Sequence, residues 1–156
     1  MAVEYTKLHS FYLKTDKQFN KLIDKQWEEV DERRKSSNLN VQWDSYVAAD
    51  DANLHFWLLA VEWDETGCPF YKGFISMFLC PSMHTGELTA LTDTMYVLPE
   101  ERGTGVGTGL IKRAEEMVKD MGAKHMMVTF KNDVDHAPLA ERLGLFNYET
   151  VYCKPL

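Results

Sequence analysis

The residues whose types and spacing carry the clearest chemistry run Met95-Tyr96-Val97-Leu98-Pro99-Glu100-Glu101-Arg102-Gly103-Thr104-Gly105-Val106-Gly107-Thr108-Gly109, followed by Leu110 to Met121 and Gly122. An apolar run, a proline, a charged turn and alternating glycines before an amphipathic stretch predict strand, loop, anion-binding turn and helix, in that order. Without Cβ atoms the turn can take positive φ and let a ligand approach its amides. Those amides precede a helix, so its first unpaired N–H groups and the positive end of its dipole face the turn. A phosphate or pyrophosphate is the expected guest, and Arg102 adds a permanently charged, forked donor suited to its oxygens.

Two familiar phosphate loops fail on spacing. A dinucleotide turn needs Gly-x-Gly-x-x-Gly, but counted from Gly103 or Gly105 its last position falls on Thr108 or Leu110. A Walker A loop needs Gly-Lys-Ser/Thr, whereas Lys112 follows Ile111. Arg102-Gly103-Thr104-Gly105-Val106-Gly107 instead matches Arg/Gln-x-x-Gly-x-Gly/Ala. It resembles the acetyl-CoA signature of the GNAT (general N-acetyltransferase) superfamily, and Tyr96-Val97-x-Pro99-Glu100 is similar to that family's approach to it. The resemblance covers roughly Leu54 to Cys153.

The resemblance implies a mixed, mostly antiparallel sheet of the α/β (α+β) class, splayed where two parallel strands diverge, with helices on both faces. It implies acetyl-CoA as cosubstrate, with the backbone of Val97, beside Tyr96 and Leu98, pairing with the pantetheine arm. Arg102, Gly103, Gly105, Val106, Gly107 and Thr108 would hold the pyrophosphate. Asn132, or Asp133 if the alignment slips by one, would reach the pantetheine. The reaction it implies is direct attack of a primary amine on the thioester, with the strand amide near Val97 meeting the oxyanion and no metal.

An ammonium has no lone pair, so a base must take its proton. Family members often place that base on the strand leading to the signature, which nominates Asp93. On an uninterrupted strand it shares a face with Val97, and a β-bulge would reverse that facing. Glu87, His84 and His125 are rivals, as is His136, which lies where the last helix begins. The chain departs from the family at Ala140: the usual tyrosine that protonates the leaving thiolate is absent from Ala140-Glu141-Arg142-Leu143-Gly144-Leu145. Tyr148, Tyr152, His136 or water would have to replace it, or the thiolate leaves unassisted. That gap keeps open an alternative: a catalytically weak or inactive GNAT-shaped module that binds CoA or a partner.

The elements that must position these groups follow from periodicity. Val3 to Phe11 reads as an edge strand. Thr15-x-x-Gln18 resembles a capping box opening a helix from about Asp16 to Arg34, on the spacing of Phe19, Leu22, Ile23, Trp27 and Val30. Its run of Glu28, Glu29, Asp31 and Glu32 beside Arg33, Arg34 and Lys35 reads as solvated surface. Val41 to Ala49 reads as a short helix capped by Asn40, and Trp43, Tyr46 and Trp27 either line an acceptor site or fill core. His55 to Trp63, Phe70 to Leu79 and Gly86 to Val97 read as successive strands. Leu110, Ile111, Ala114, Met117, Val118 and Met121 mark the buried stripe of the next helix, which Gly122 stops. His125 to Phe130 should pair parallel to the strand ending at Val97, followed by a short helix closed by Gly144 and a final strand, Tyr148 to Lys154.

The chain has 156 residues, a single domain over 1–156 that is long enough to bury a core, with 45% hydrophobic and 26% charged residues. A net charge of −7 argues against a nucleic-acid backbone as partner and suits a cationic amine. Cys68, Cys80 and Cys153 are too few and too scattered for a disulfide framework or a zinc site. No apolar run approaches the length of a bilayer span, so no membrane role is expected and a cytoplasmic setting is. Related folds often pair through sheet edges or helices, which leaves a homodimer open.

Overall fold

The computed structural model describes residues 2–131 and 135–156. Among these residues, five strands form one sheet in the order β1 (Glu4–Leu8), β2 (His55–Trp63), β3 (Pro69–Pro81), β4 (Leu88–Val97) and β5 (His125–Met127). Every neighbouring pair is antiparallel except β4 and β5, which run parallel. The parallel pair is joined by the long helix α4 (Val106–Asp120), as parallel strands require a crossover.

β2 is apolar almost throughout because it is covered on both faces. Phe56, Leu58 and Ala60 pack with Ile75, Met77 and Leu79 against Leu110, Ile111, Ala114 and Val118 of α4. Trp57, Leu59 and Val61 face the other way, onto Phe19, Leu22 and Ile23 of α2 (Lys17–Val30). Trp43 and Tyr46 of α3 (Trp43–Asp51) pack partly buried against that second core. Helices therefore cover both faces of a mixed sheet, as expected. Among the described residues, no helix is long and apolar enough to cross a membrane.

Several boundaries differ from the sequence expectation, each for a local reason. β1 stops at Leu8, and a short helix α1 (Ser10–Leu13) follows, its first turn capped by His9 Nδ1, which accepts from the Phe11 amide at 3.1 Å. α2 is capped by Asp16 rather than by a Thr15 box: its carboxylate accepts from the amides of Gln18 (2.9 Å) and Phe19 (3.0 Å). Gln18 instead ties α2 to β3, donating to Pro69 O at 2.8 Å and accepting from the Tyr71 amide at 2.7 Å. α2 ends at Val30 because Asp31 turns extended and starts a 3-10 turn, Glu32–Lys35, gripping Arg33 with its carboxylate. Gln42, not Asn40, occupies the cap position of α3 and makes no side-chain hydrogen bond there.

The C-terminal expectation fails. A short helix α5 (Ala137–Arg142) forms, but Tyr148 to Lys154 is not a strand. A strand exists only through its ladder, and this segment buries nothing that would hold it to one: Tyr148, Val151 and Tyr152 are all exposed. β5 is likewise three residues long rather than six, because it leaves β4 after Met127.

Candidate active site

Among the described residues, β4 and β5 pair only at Thr89–His125, Ala90–Met126 and Leu91–Met127, with a last tie from the Thr92 hydroxyl to Met127 O at 3.1 Å. β4 runs on to Val97, so among the described residues its second half has an open edge. Gly73 faces Val97 across the β3–β4 pair, and the Leu98 amide donates to Lys72 O at 3.0 Å. In an antiparallel ladder the polar groups of Val97 itself must then point to the open side. There Val97 O accepts from Arg102 Nε at 3.1 Å.

The chain leaves β4 through a 3-10 turn, Pro99–Glu101, fixed by Lys72 Nζ, which donates to Glu101 at 2.7 Å and pairs with Glu62 at 3.2 Å. Gly103 (φ 80°) and Gly105 (φ 99°) are left-handed, a backbone that other residues enter only with strain. Gly105 occupies the cap position of α4 with no side chain to satisfy the first turn, and the intrahelical ladder begins with Gly109 N to Gly105 O at 2.9 Å. The amides of Val106, Gly107 and Thr108 are thus free of helical partners beside an exposed turn, an arrangement that attracts an anion. The four glycines do different jobs. Gly107 already lies within α4, and Gly109 makes room for the Tyr5 ring of β1, which a Cβ there would strike.

Asp93 sits in a bulge. Ser76 pairs with Thr94 and Met77 with Thr92, leaving Asp93 as the extra residue of β4. The bulge reverses the facing expected of an uninterrupted strand. Val97 points into the α4 core, whereas Asp93 meets Tyr46 of α3 and Ser76 of β3 on the opposite face. The Tyr46 hydroxyl donates to Asp93 Oδ2 at 2.6 Å, and Ser76 Oγ lies 3.2 Å from the same oxygen. Burial first, then the Asp93 charge, raises the Tyr46 phenol well above its ordinary range, so it stays a donor. Among the described residues, Asp93 Oδ1 has no hydrogen-bond partner. The neighbouring Thr94 Oγ1 is buried and unpaired among them.

Arg102 is held by α2. Its guanidinium pairs with Glu29 at 2.5 Å and lies over the Tyr96 ring, whose hydroxyl donates to the same carboxylate at 2.6 Å. Burial alone would raise Glu29, but the Tyr96 and Arg102 hydrogen bonds outweigh it and hold the carboxyl low. Burial, reinforced by Glu29, pushes the Tyr96 phenol up to about 12. Glu29, expected as plain solvated surface, therefore joins the first helix to the glycine turn.

The sequence profile described as the Acetyltransferase (GNAT) family matches residues 17–145. The chain belongs to this family. Solved structures of the same fold include an aminoglycoside acetyltransferase, HMB0005, from an uncultured soil metagenomic sample (TM-score 0.75, 15% identity, covering 100% of this chain and 99% of that one). A ribosomal-protein-alanine N-acetyltransferase from Brucella melitensis biovar Abortus 2308 gives a TM-score of 0.70 at 17% identity, covering 100% of each chain. Glucosamine-6-phosphate N-acetyltransferase from Arabidopsis thaliana gives 0.69 at 14% identity, covering 99% of each. No curated protein matches the chain in sequence. At such identities these neighbours establish the fold alone.

Within the GNAT fold, the remaining predicted residues fall as follows. Tyr96 and Leu98 are buried in the α2-side core, flanking Val97. His136 precedes α5, caps nothing with its side chain and stacks on Phe130, ring centroids 4.7 Å apart. Among the described residues, no hydrogen bond joins it to Asp93. Asn132 and its alternative Asp133 lie outside the described residues. Trp27 lines a cavity of about 220 Å³ with Asp24, Glu28 and Arg34, under the Arg33 guanidinium. Tyr46 packs on Trp57 while holding Asp93.

What stands behind Asp93 leaves almost no mark in the sequence. Ser76 Oγ is 2.6 Å from His55 Nε2, and His55 Nδ1 is 2.5 Å from Asp50 Oδ1. The only sign was a histidine opening an apolar strand five residues after an aspartate.

Proposed function

We propose that the chain is an N-acetyltransferase that transfers the acetyl group of acetyl-CoA to a primary amine. One observation carries the reading: the parallel strands part beside a helix start with unpaired amides, giving an open strand edge and an anion cradle within one continuous stretch. The residues present fit acetyl-CoA. Val97 would offer its outward backbone to the pantetheine amides, as an edge strand does for a peptide, flanked by Tyr96 and Leu98. Gly103, Gly105, Val106, Gly107 and Thr108 would receive the diphosphate, with Arg102 as counter-charge once it leaves Glu29. Asn132 remains the proposed pantetheine contact on the facing strand. When bound, acetyl-CoA supplies the acetyl group as a reactive thioester.

The chain's own part is to deliver a neutral amine. Asp93 is exposed, with one oxygen anchored by Tyr46 and the other without a hydrogen-bond partner among the described residues, which suits it to take a proton from an acceptor amine. His136 is the less favoured base, because its ring stacks on Phe130. The structural neighbours named above are acetyltransferases of amine acceptors, an aminoglycoside, a protein alanine and an amino sugar, which supports the substrate class without choosing within it. The net charge of −7 agrees with a cationic acceptor.

Free-CoA release in the presence of a panel of primary amines, peptides and polyamines tests the reading. Amine-dependent release is expected. Calorimetric binding of acetyl-CoA with no release on any acceptor would support the passive binding module that the missing hydroxyl at Ala140 suggests.

A further inference from the structure

Four elements converge behind Asp93 on a buried polar chain for which packing alone gives no use. His55 is 1% and Ser76 0% exposed, and the Asp50 side chain is 4% exposed. Asp50 comes from the end of α3, His55 from the start of β2, Ser76 from the middle of β3 and Asp93 from the bulge of β4. Burying such groups is costly unless each is paired, and here each is.

The partners assign the protons. Asp50 Oδ2 accepts from the Ser10 amide at 2.7 Å, and Oδ1 faces His55 Nδ1. Burial alone would raise the Asp50 carboxyl, but the hydrogen bonds from His55 and Ser10 outweigh it and keep it ionised. An ionised carboxylate only accepts, so Nδ1 carries a hydrogen and Nε2 is left to accept from Ser76. The Ser76 hydroxyl lies 2.6 Å from Nε2 but 3.2 Å from Asp93 Oδ2, so its hydrogen belongs to the shorter contact. Asp93 Oδ2 is meanwhile satisfied by Tyr46.

We propose that Ser76 and His55, backed by Asp50, form a proton relay behind Asp93, so that the proton taken from the acceptor amine passes to a buried imidazole instead of staying on the carboxylate. The proposal rests on the transferase reading for the source of the proton. The step balances. An N–H bond of the acceptor ammonium breaks and an O–H bond forms on Asp93. A half-turn of the carboxyl exchanges Oδ1 and Oδ2, and Asp93 then gives that hydrogen to Ser76 Oγ while Ser76 gives its own to His55 Nε2. The imidazolium formed is neutralised by Asp50, Asp93 is again a free base, and the reverse shift through exposed Asp93 returns the proton to water. His55, Ser76 and Asp50 are positioning residues, since none reaches the acceptor.

Among the described residues, the other charged groups around this polar chain are His9, 3.8 Å from Asp50 Oδ2 and 2.9 Å from Asp51, and Arg33 on the Asp93 and Tyr46 side, itself gripped by Asp31. None of them interrupts the line from Asp93 to His55.

Neutron diffraction from the deuterated protein at alkaline and acid pD reads the relay directly and needs no substrate. At alkaline pD, deuterium is expected on His55 Nδ1 but not Nε2, with the Ser76 hydroxyl aimed at the ring. At acid pD, Nε2 should gain deuterium and the hydroxyl should swing to Asp93. Deuterium on the Asp93 carboxylate with Ser76 unmoved, or a ring doubly deuterated at both values, overturns the proposal. In turnover, Ser76→Ala should lower kcat about tenfold with the acetyl-CoA Kd unchanged, and Ser76→Thr should restore it. An unchanged kcat in Ser76→Ala also overturns it. Loss of acetyl-CoA binding by the unaltered protein would instead remove the transferase reading, and the deuterium positions would still decide whether Ser76 switches.

Discussion

The glycine turn and the Asp93 pocket lie at opposite ends of the same half-strand, yet they are built by different means. The turn is local: Pro99 to Gly109 supplies its left-handed corners, its helix start and its cap position from one run of sequence, and only Lys72 and Glu29 come from elsewhere. The pocket is assembled from α3, β2, β3 and β4, its groups drawn from Tyr46 and Asp50, His55, Ser76 and Asp93. Binding can thus be encoded in backbone shape, while the proposed base owes its environment to the register of three strands.

If that division is real, the two ends should fail separately. The largest effect is expected from Asp93→Asn, which should lower the acetyl-transfer kcat by about 10²–10⁴-fold while calorimetry finds acetyl-CoA binding intact. A parallel loss of binding would erase the distinction. Gly105→Asp should do the reverse. Strain at φ 99° and a carboxylate in the cradle should weaken acetyl-CoA binding by about a hundredfold, with Asp93 and its partners undisturbed.

A third test concerns what each end contributes to stability. Asp50→Asn breaks a buried pair and should cost about 1–3 kcal/mol in denaturant unfolding. The Asp50 carboxyl is held below its ordinary value of 3.8 in the folded state. Its contribution is therefore fully present above that value and is lost as pH falls through the lowered one. Unfolding curves at successive pH values should show wild type losing more stability than Asp50→Asn over that acid window. Equal losses would contradict the assigned protonation.

The smallest effect belongs to the tie between the glycine turn and α2. Glu29 and Arg102 are both about half exposed, so their pair contributes little to stability, about 0–1 kcal/mol. Glu29→Gln should free Arg102 and tighten acetyl-CoA binding about threefold by calorimetry. Weaker binding would mean that Glu29 aims the guanidinium at the ligand instead of withholding it.

The same contrast explains what could be read in advance. The signature, the buried stripe of α4, the strand from His55 to Trp63 and the parallel crossover all follow from periodicity and glycine placement, which are local properties. The direction in which Asp93 points does not, because it depends on one unmatched residue opposite Ser76, and nothing in Leu91-Thr92-Asp93-Thr94 announces a bulge. Asp16 displaced the Thr15 box because the neighbouring carboxylate offers a stronger acceptor to the same amides. Tyr148 to Lys154 has the alternation of a strand but finds no ladder to join among the described residues. Pattern alone cannot supply a partner.

The most direct test is to follow backbone amide resonances while acetyl-CoA is added. The largest shifts are expected at Val97 and at Gly103, Gly105, Val106, Gly107 and Thr108, with the Asp50–His55 end moving little. Shifts centred instead on the cavity beneath the end of α4, around Val118, His125 and Leu143, or no shifts at all, would contradict this placement of acetyl-CoA.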